Sequence, residues 1–172
     1  VNGHPSNPAR GYQTVSAFGA LADVHNGYPV FLAEMTLLTA LRTAAMSAMV
    51  ARHLARPDSR RLALIGAGSQ AEFQALGMRA ALGISEVTVW DTDPAAMAKL
   101  ARNLTPLGFD VTIAASGREA VRGADVVIHC AALPEPTRNP PATVFRNNLM
   151  ATFNVAEAAV RMGVDRVVNV SS

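Results

Sequence analysis

Residues 64–71 read Leu64-Ile65-Gly66-Ala67-Gly68-Ser69-Gln70-Ala71, which is the spacing G-x-G-x-x-A. The apolar run at 62–66 has the makings of a buried strand, and 70–82 those of a helix closed by Gly83. A strand that passes directly into a helix needs a tight bend, which Gly66 permits. Gly68 removes a Cβ from the path of an anion approaching the backbone. Ala71 is small enough for the helix to pack closely on the strand. The first amides of that helix lack intrahelical partners and, with the helix dipole, favour negative charge.

The pattern continues outward from this bend. Strands are predicted at 86–91, 109–114, 125–130 and 166–170. Between them lie a helix at 94–104 with proline in its first turn and a short helix after the capping-box spacing Ser116-Gly117-Arg118-Glu119. A Pro-rich loop at 133–143 and a helix at 144–162 ended by Gly163 follow. Strands alternating with helices at this spacing imply parallel βαβ units. The fold class is therefore α/β: a Rossmann-type doubly wound parallel sheet of about five strands, in the order 3-2-1-4-5. Asp91 closes the second strand, twenty residues after Ala71. A carboxylate there can accept hydrogen bonds from ribose hydroxyls and would repel a 2′-phosphate, which favours NAD over NADP.

Ahead of the bend the texture differs. Residues 14–24 and 28–33 read as strands around Asn26-Gly27, a pair suited to a type I′ hairpin turn, while 2–8 read as loop. Residues 36–55 are rich in Ala, Leu and Met and free of Gly and Pro, which predicts one long helix, capped by Thr36 or Thr39 and buried on most sides. Met35, Met46 and Met49 fall at roughly helical spacing and read as core or dimer contact. The expected organisation is a partial β-rich substrate and dimerisation region at 1–35, a linking helix at 36–60 and a dinucleotide-binding domain at 61–172.

Composition narrows the function. Of 172 residues, 50% are hydrophobic and 16% charged, which excludes a disordered tail. The longest apolar stretch, 40–55, is interrupted by Arg42, Arg52 and His53, which argues against a membrane span. The 15 basic residues include a single lysine, Lys99, and the arginines are scattered, unlike a nucleic-acid surface. One cysteine, Cys130, excludes an internal disulfide framework, reads as packing on an apolar strand and fits a reducing cytoplasm. His4, His25, His53 and His129 show no metal spacing. A chain starting at Val1 is expected to be a piece of something longer or a processed product.

Over about 1–124 the sequence resembles the ornithine cyclodeaminase/μ-crystallin family. The resemblance rests on Val1-Asn2-Gly3-His4-Pro5, Gln13-Thr14-Val15, Ala17-Phe18-Gly19, Gly27-Tyr28-Pro29, Glu34-Met35-Thr36 and the stretch Thr39-Ala40-Leu41-Arg42-Thr43-Ala44-Ala45. It takes in the bend up to Glu72-Phe73 and Asp91-Thr92-Asp93-Pro94. It implies a homodimer that binds NAD and converts L-ornithine to L-proline and ammonia by hydride transfer to and from NAD, a lyase reaction overall. Carried over by position, Thr14 and Arg42 would contact the dinucleotide, Ser69 and Gln70 would sit at the phosphate turn, and Asp91 at the ribose. The family's substrate-binding lysine falls before the stretch matched, and its catalytic aspartate is not recognisable here.

From about 125 to 172 the sequence is instead similar to the NAD-dependent epimerase/dehydratase group of extended short-chain dehydrogenases. The matching text is Val126-Val127-Ile128-His129-Cys130-Ala131-Ala132, Asn148-Leu149-Met150-Ala151-Thr152-Phe153-Asn154 and Val167-Val168-Asn169-Val170-Ser171-Ser172. This resemblance implies that Ala131 lines the cofactor, that Asn148 helps organise the site, that Ser172 stands where the catalytic Ser or Thr sits, and that the substrate is a nucleotide sugar. The group's Tyr-x-x-x-Lys pair is missing, because Tyr12 and Tyr28 are followed four residues later by Ser16 and Leu32. The expectation is a hybrid with a seam near 125, incomplete as a catalyst by either route. A non-catalytic dinucleotide-binding or oligomerising module is the third reading.

Overall fold

A computed structural model describes residues 2–4, 6–133, 139–164 and 166–169. The chain divides into two compact units, Val1–Thr43 and Ala44–Ser172, and the division falls inside a helix that is continuous across it.

In the first unit, β1 (Asn2–Gly3) pairs antiparallel with β2 (Val15–Ser16), so part of the stretch expected as loop is a short strand. β3 (Phe18–Ala22) and β4 (Pro29–Glu34) form the expected hairpin, with Phe18 opposite Glu34 and a register shift at Leu21/Ala22. Its turn is not the expected type I′. That turn needs positive φ at both central residues, and only Gly27 has it, at 76°. A wider loop forms instead. The Gly27 N–H donates to the Asp23 carbonyl, the Asp23 carboxylate accepts from His25 N–H, and Asn26 Oδ1 accepts from Tyr28 N–H. Short polar side chains bonding to nearby backbone have displaced the two-residue turn.

Helix α1 spans Thr36–Leu54. Thr36 does not cap it. As the first helical residue, Thr36 turns its hydroxyl to accept from Ala17 N–H at 3.0 Å, while its own N–H donates to the Glu34 carboxylate. Nor is α1 buried on most sides: only Ala44, Ser47 and Ala51 are buried, and Met46 and Met49 are exposed, so those methionines are not core.

The second unit is a five-stranded parallel sheet: β5 (Arg61–Ile65), β6 (Glu86–Trp90), β7 (Asp110–Ile113), β8 (Val126–His129) and β9 (Arg166–Asn169). The spatial order is β7-β6-β5-β8-β9, the expected 3-2-1-4-5. The connections are α2 (Ala71–Leu82), α3 (Pro94–Leu104), α4 (Gly117–Val121) and α5 (Pro141–Arg161). Helix α5 starts three residues earlier than expected because Pro141, which needs no amide partner, suits its first position.

Both faces of the sheet are covered, which is why its central strands read as continuous apolar runs. Leu62, Leu64, Val87, Val89 and Ile128 meet α2 and α3 through Met78, Leu100 and Leu104. Ala63, Ile65 and Val127 face the other way, toward Ala120 and Val121 of α4 and Ala159 of α5. Helices α2 and α3 thus lie on one face and α4 and α5 on the other. The connections leaving β5 and β8 depart to opposite sides, which opens a crevice at the carboxyl ends of those two strands.

Asp125 anchors the opposite end of β8. Its carboxylate accepts from the backbone N–H groups of Arg60 and Arg61 at 2.8 and 3.0 Å and pairs with Arg56 at 2.9 Å. Burial pushes its acidity toward the neutral form. The two amides and the charges of Arg61 and Arg56 outweigh that and hold the carboxyl below its ordinary value. Its ionised form is therefore the folded form, and its stabilisation is full above the ordinary aspartate value of about 3.9. It is lost as pH falls through the depressed native value. Asp125→Asn is expected to cost about 1.5–3 kcal/mol at pH 7, the range for hydrogen bonds to a charged group. Denaturant melts should show that gap narrowing once the native carboxyl is protonated; an undiminished gap in acid would refute the assignment.

Candidate functional site

The bend at 66–70 lies where β5 ends in the crevice. The Gly66 N–H continues the ladder to the Trp90 carbonyl at 2.8 Å. Gly66 has φ 103°, and a Cβ there would sit 2.7 Å from the backbone nitrogen of Ala131. Close passage of the β8 end therefore demands glycine at this position. The opposite holds at Gly68, where a Cβ would meet nothing within 4 Å. Gly68 and Ser69 are exposed and Ala71 is fully buried, so the bend is packed inside and bare outside.

Helix α2 begins without a side-chain cap: Gln70, at the capping position, makes no such bond. Ala71 N–H donates to the Gly68 carbonyl, and among the described residues the amides of Gly68, Ser69 and Gln70 have no acceptor. The first-turn acid of α2, Glu72, is turned away onto Asn103 at 2.8 Å and Lys99 at 3.7 Å. Three amides without acceptors among the described residues, at the positive end of a twelve-residue helix and beside the exposed Gly68 and Ser69, form an anion cradle.

Asp91 lies beside the cradle, half-buried, with Oδ2 accepting from Ala67 N–H at 2.6 Å and Oδ1 from Asp93 N–H at 2.9 Å. Ala131 closes the inner side against Gly66. The structure thus brings together Gly66, Gly68, Ser69, Gln70, Asp91 and Ala131. Asn148 works one step away. Its side-chain amide accepts from Leu133 N–H at 2.8 Å and donates to the Leu133 carbonyl at 3.0 Å, tying α5 to the segment after β8. Thr14 and Arg42 are exposed residues of the first unit. Ser172 lies outside the described residues.

A cavity of about 880 Å³ opens on the α4/α5 side of the crevice, lined by Ile65, Trp90, His129, Ala131, Arg118 and Arg146 among others. That volume falls within the range of small-ligand sites, about 300–1,000 Å³. His129, the last residue of β8, is buried, and its Nδ1 has no partner among the described residues. Burial pushes its pKa down, so the ring is neutral at pH 7. The lack of metal spacing around His129 gives no sign of this place. The available signal was its position at the carboxyl end of a central strand, where ligands of such sheets bind. Cys130 beside it has its thiol pushed up to about 11 by burial, which suits packing and not nucleophilic attack.

Comparison with known proteins identifies the family. The model of the ornithine cyclodeaminase/mu-crystallin family matches residues 1–156. The chain belongs to that family. It is 58% identical over 127 residues to the ornithine cyclodeaminase of Agrobacterium tumefaciens (strain Ach5), covering 74% of this chain and 36% of that one. The structure of Thermococcus litoralis Delta(1)-pyrroline-2-carboxylate reductase in complex with NADH and L-proline superposes with TM-score 0.69 at 34% identity, over 74% of this chain and 40% of that one. An archaeal alanine dehydrogenase dimer with bound NAD gives TM-score 0.68 at 33% identity, over 74% and 39%. The chain therefore spans little more than a third of the length of these relatives. The family match runs through the seam expected near 125 and on to 156, so the hybrid origin and the epimerase/dehydratase resemblance of 125–172 gain no support.

The two glycines should separate by measurement. Gly66→Ala is expected to cost about 1–3 kcal/mol or more, from left-handed backbone strain and the clash with Ala131. Gly68→Ala should stay within about 0.5 kcal/mol of the parent. Equal melting of the two variants would contradict the packed-inside, open-outside bend.

Proposed function

We propose that this chain is the cofactor-binding portion of an ornithine cyclodeaminase-like enzyme and that it binds NAD at the bend 66–70. The observation that carries this is the bare outer side of Gly68 next to three unpaired helix-start amides, in a chain 58% identical over 127 residues to an ornithine cyclodeaminase. Residues and group fit: the cradle suits a diphosphate, and the Asp91 carboxylate suits ribose hydroxyls while opposing a 2′-phosphate. Ala131 bounds the inner wall, and Asn148 positions the segment that follows it. Thr14 and Arg42 are assigned to the same dinucleotide by position in the family.

When bound, NAD would supply reversible hydride acceptance. The chain's own residues orient it and keep water from its inner side through Ile65 and Ala131. The reaction assigned to the whole protein is conversion of L-ornithine to L-proline with release of ammonia. Identity to a cyclodeaminase supports it, together with the L-proline in the related reductase complex. The matched stretch is 36% of the cyclodeaminase, and the 172 residues alone are proposed to bind the cofactor without sustaining turnover. A homodimer is proposed from the dimeric archaeal relative and from the exposed Phe18, Tyr28, Val30 and Leu32 of the hairpin.

Calorimetric titration with NAD tests this. The parent chain should bind, and Gly68→Val, whose branched side chain enters the open outer space, should bind at least tenfold more weakly with little change in melting. Equal affinity would refute the site. Ammonia release from ornithine by the 172 residues would refute the division of labour.

A further inference from the structure

We infer that Asp91 is also a positioning residue, which holds the phosphate turn in its binding shape before any ligand arrives. The inference rests on the dinucleotide reading above and goes beyond a ribose contact. The β5–β6 ladder ends with Gly66 N–H on the Trp90 carbonyl. At the next residue the two backbones diverge, and the carboxylate of Asp91 takes over the acceptor role, receiving Ala67 N–H at 2.6 Å. Ala67 is buried, and the described residues offer its amide no other acceptor. A buried amide left unpaired is costly, so this bond fixes the orientation of the peptide entering the turn. The following amides, Gly68 to Gln70, are left without acceptors among the described residues.

The carboxylate is committed on its other side as well. Oδ1 receives Asp93 N–H at 2.9 Å and the Thr92 hydroxyl at 3.3 Å. Asp93 in turn caps α3 through Ala95 N–H. One side chain thus ties the start of the turn to the start of the next helix. An ionised carboxylate offers about four acceptor positions, and three are in use, so a ribose has to share what remains. A carboxamide cannot replace it: two amides approach opposite oxygens, and asparagine would present an NH₂ to one of them. Exchanging Asp91 to admit a 2′-phosphate would accordingly cost the turn its shape.

Amide hydrogen exchange of the full ligand-free chain tests the brace. In Asp91→Ala, Ala67 and Asp93 should exchange about tenfold or more faster, while Leu64 and Val89 in the core are unchanged. Should that variant fail to fold, Asp91→Asn should expose one of the two amides selectively. Inorganic pyrophosphate, which has no ribose, should bind the variant at least threefold more weakly even though a negative charge has been removed. Unchanged exchange at Ala67 overturns the brace. Pyrophosphate held equally well or more tightly by the variant overturns its effect on the anion site. Failure of the parent chain to bind pyrophosphate would instead sink the dinucleotide reading on which the inference stands.

Discussion

Where β5 becomes α2, the backbone has no room for a side chain on its inner side at Gly66 and carries none on its outer side at Gly68. The inner limit is set by Ala131, 2.7 Å from where a Gly66 Cβ would stand. The rest of the second unit serves this contact. Parallel pairing of β5 with both β6 and β8 brings Trp90, Asp91 and Ala131 to the same edge. The small residues Ala63, Ala120 and Ala159 keep the α4/α5 layer close to the sheet. The longer Leu62, Leu64, Met78 and Leu100 fill the opposite layer.

The anion cradle is made of backbone and depends on side chains only for its shape. Glycine at 68 gives access, and the missing cap at Gln70 leaves the amides unclaimed. The Asp91 carboxylate supplies the acceptor that the ladder cannot. Such a site is braced by hydrogen bonds without being crowded, which lowers the cost of ordering it around a ligand. The neighbouring cavity adds a neutral histidine, an indole and three arginines, Arg118, Arg146 and Arg161. Among the described residues no helix is long and apolar enough to cross a membrane.

Much of the second unit was legible in the sequence because its signals are local and strong. Alternating apolar runs, Gly66 and Gly68, and the Asp93-Pro94 helix start each fix their own element, and the sheet order follows from handed crossovers. The first unit was less legible. Asn26-Gly27 fits a two-residue turn by propensity, but Asp23 and Asn26 offer competing side-chain bonds that a dipeptide pattern does not register. The apolar content of α1 implied burial, which is a property of surroundings and not of the helix. The resemblance read from 125 onward rests partly on short, small apolar text such as Cys130-Ala131, which here sits where the end of β8 passes close to Gly66. The brace at Asp91 was hidden because an acidic residue at a strand end reads as a ligand contact, and only distance shows the amide it already holds.

The backbone amides at the head of α2 are proposed to grip a diphosphate. Amide resonances of the isotopically labelled chain, followed as NAD is added, test it most directly. The largest shifts are expected at Gly68, Ser69 and Gln70, with saturation at one equivalent. Shifts confined to other parts of the chain, or none at all, would contradict it.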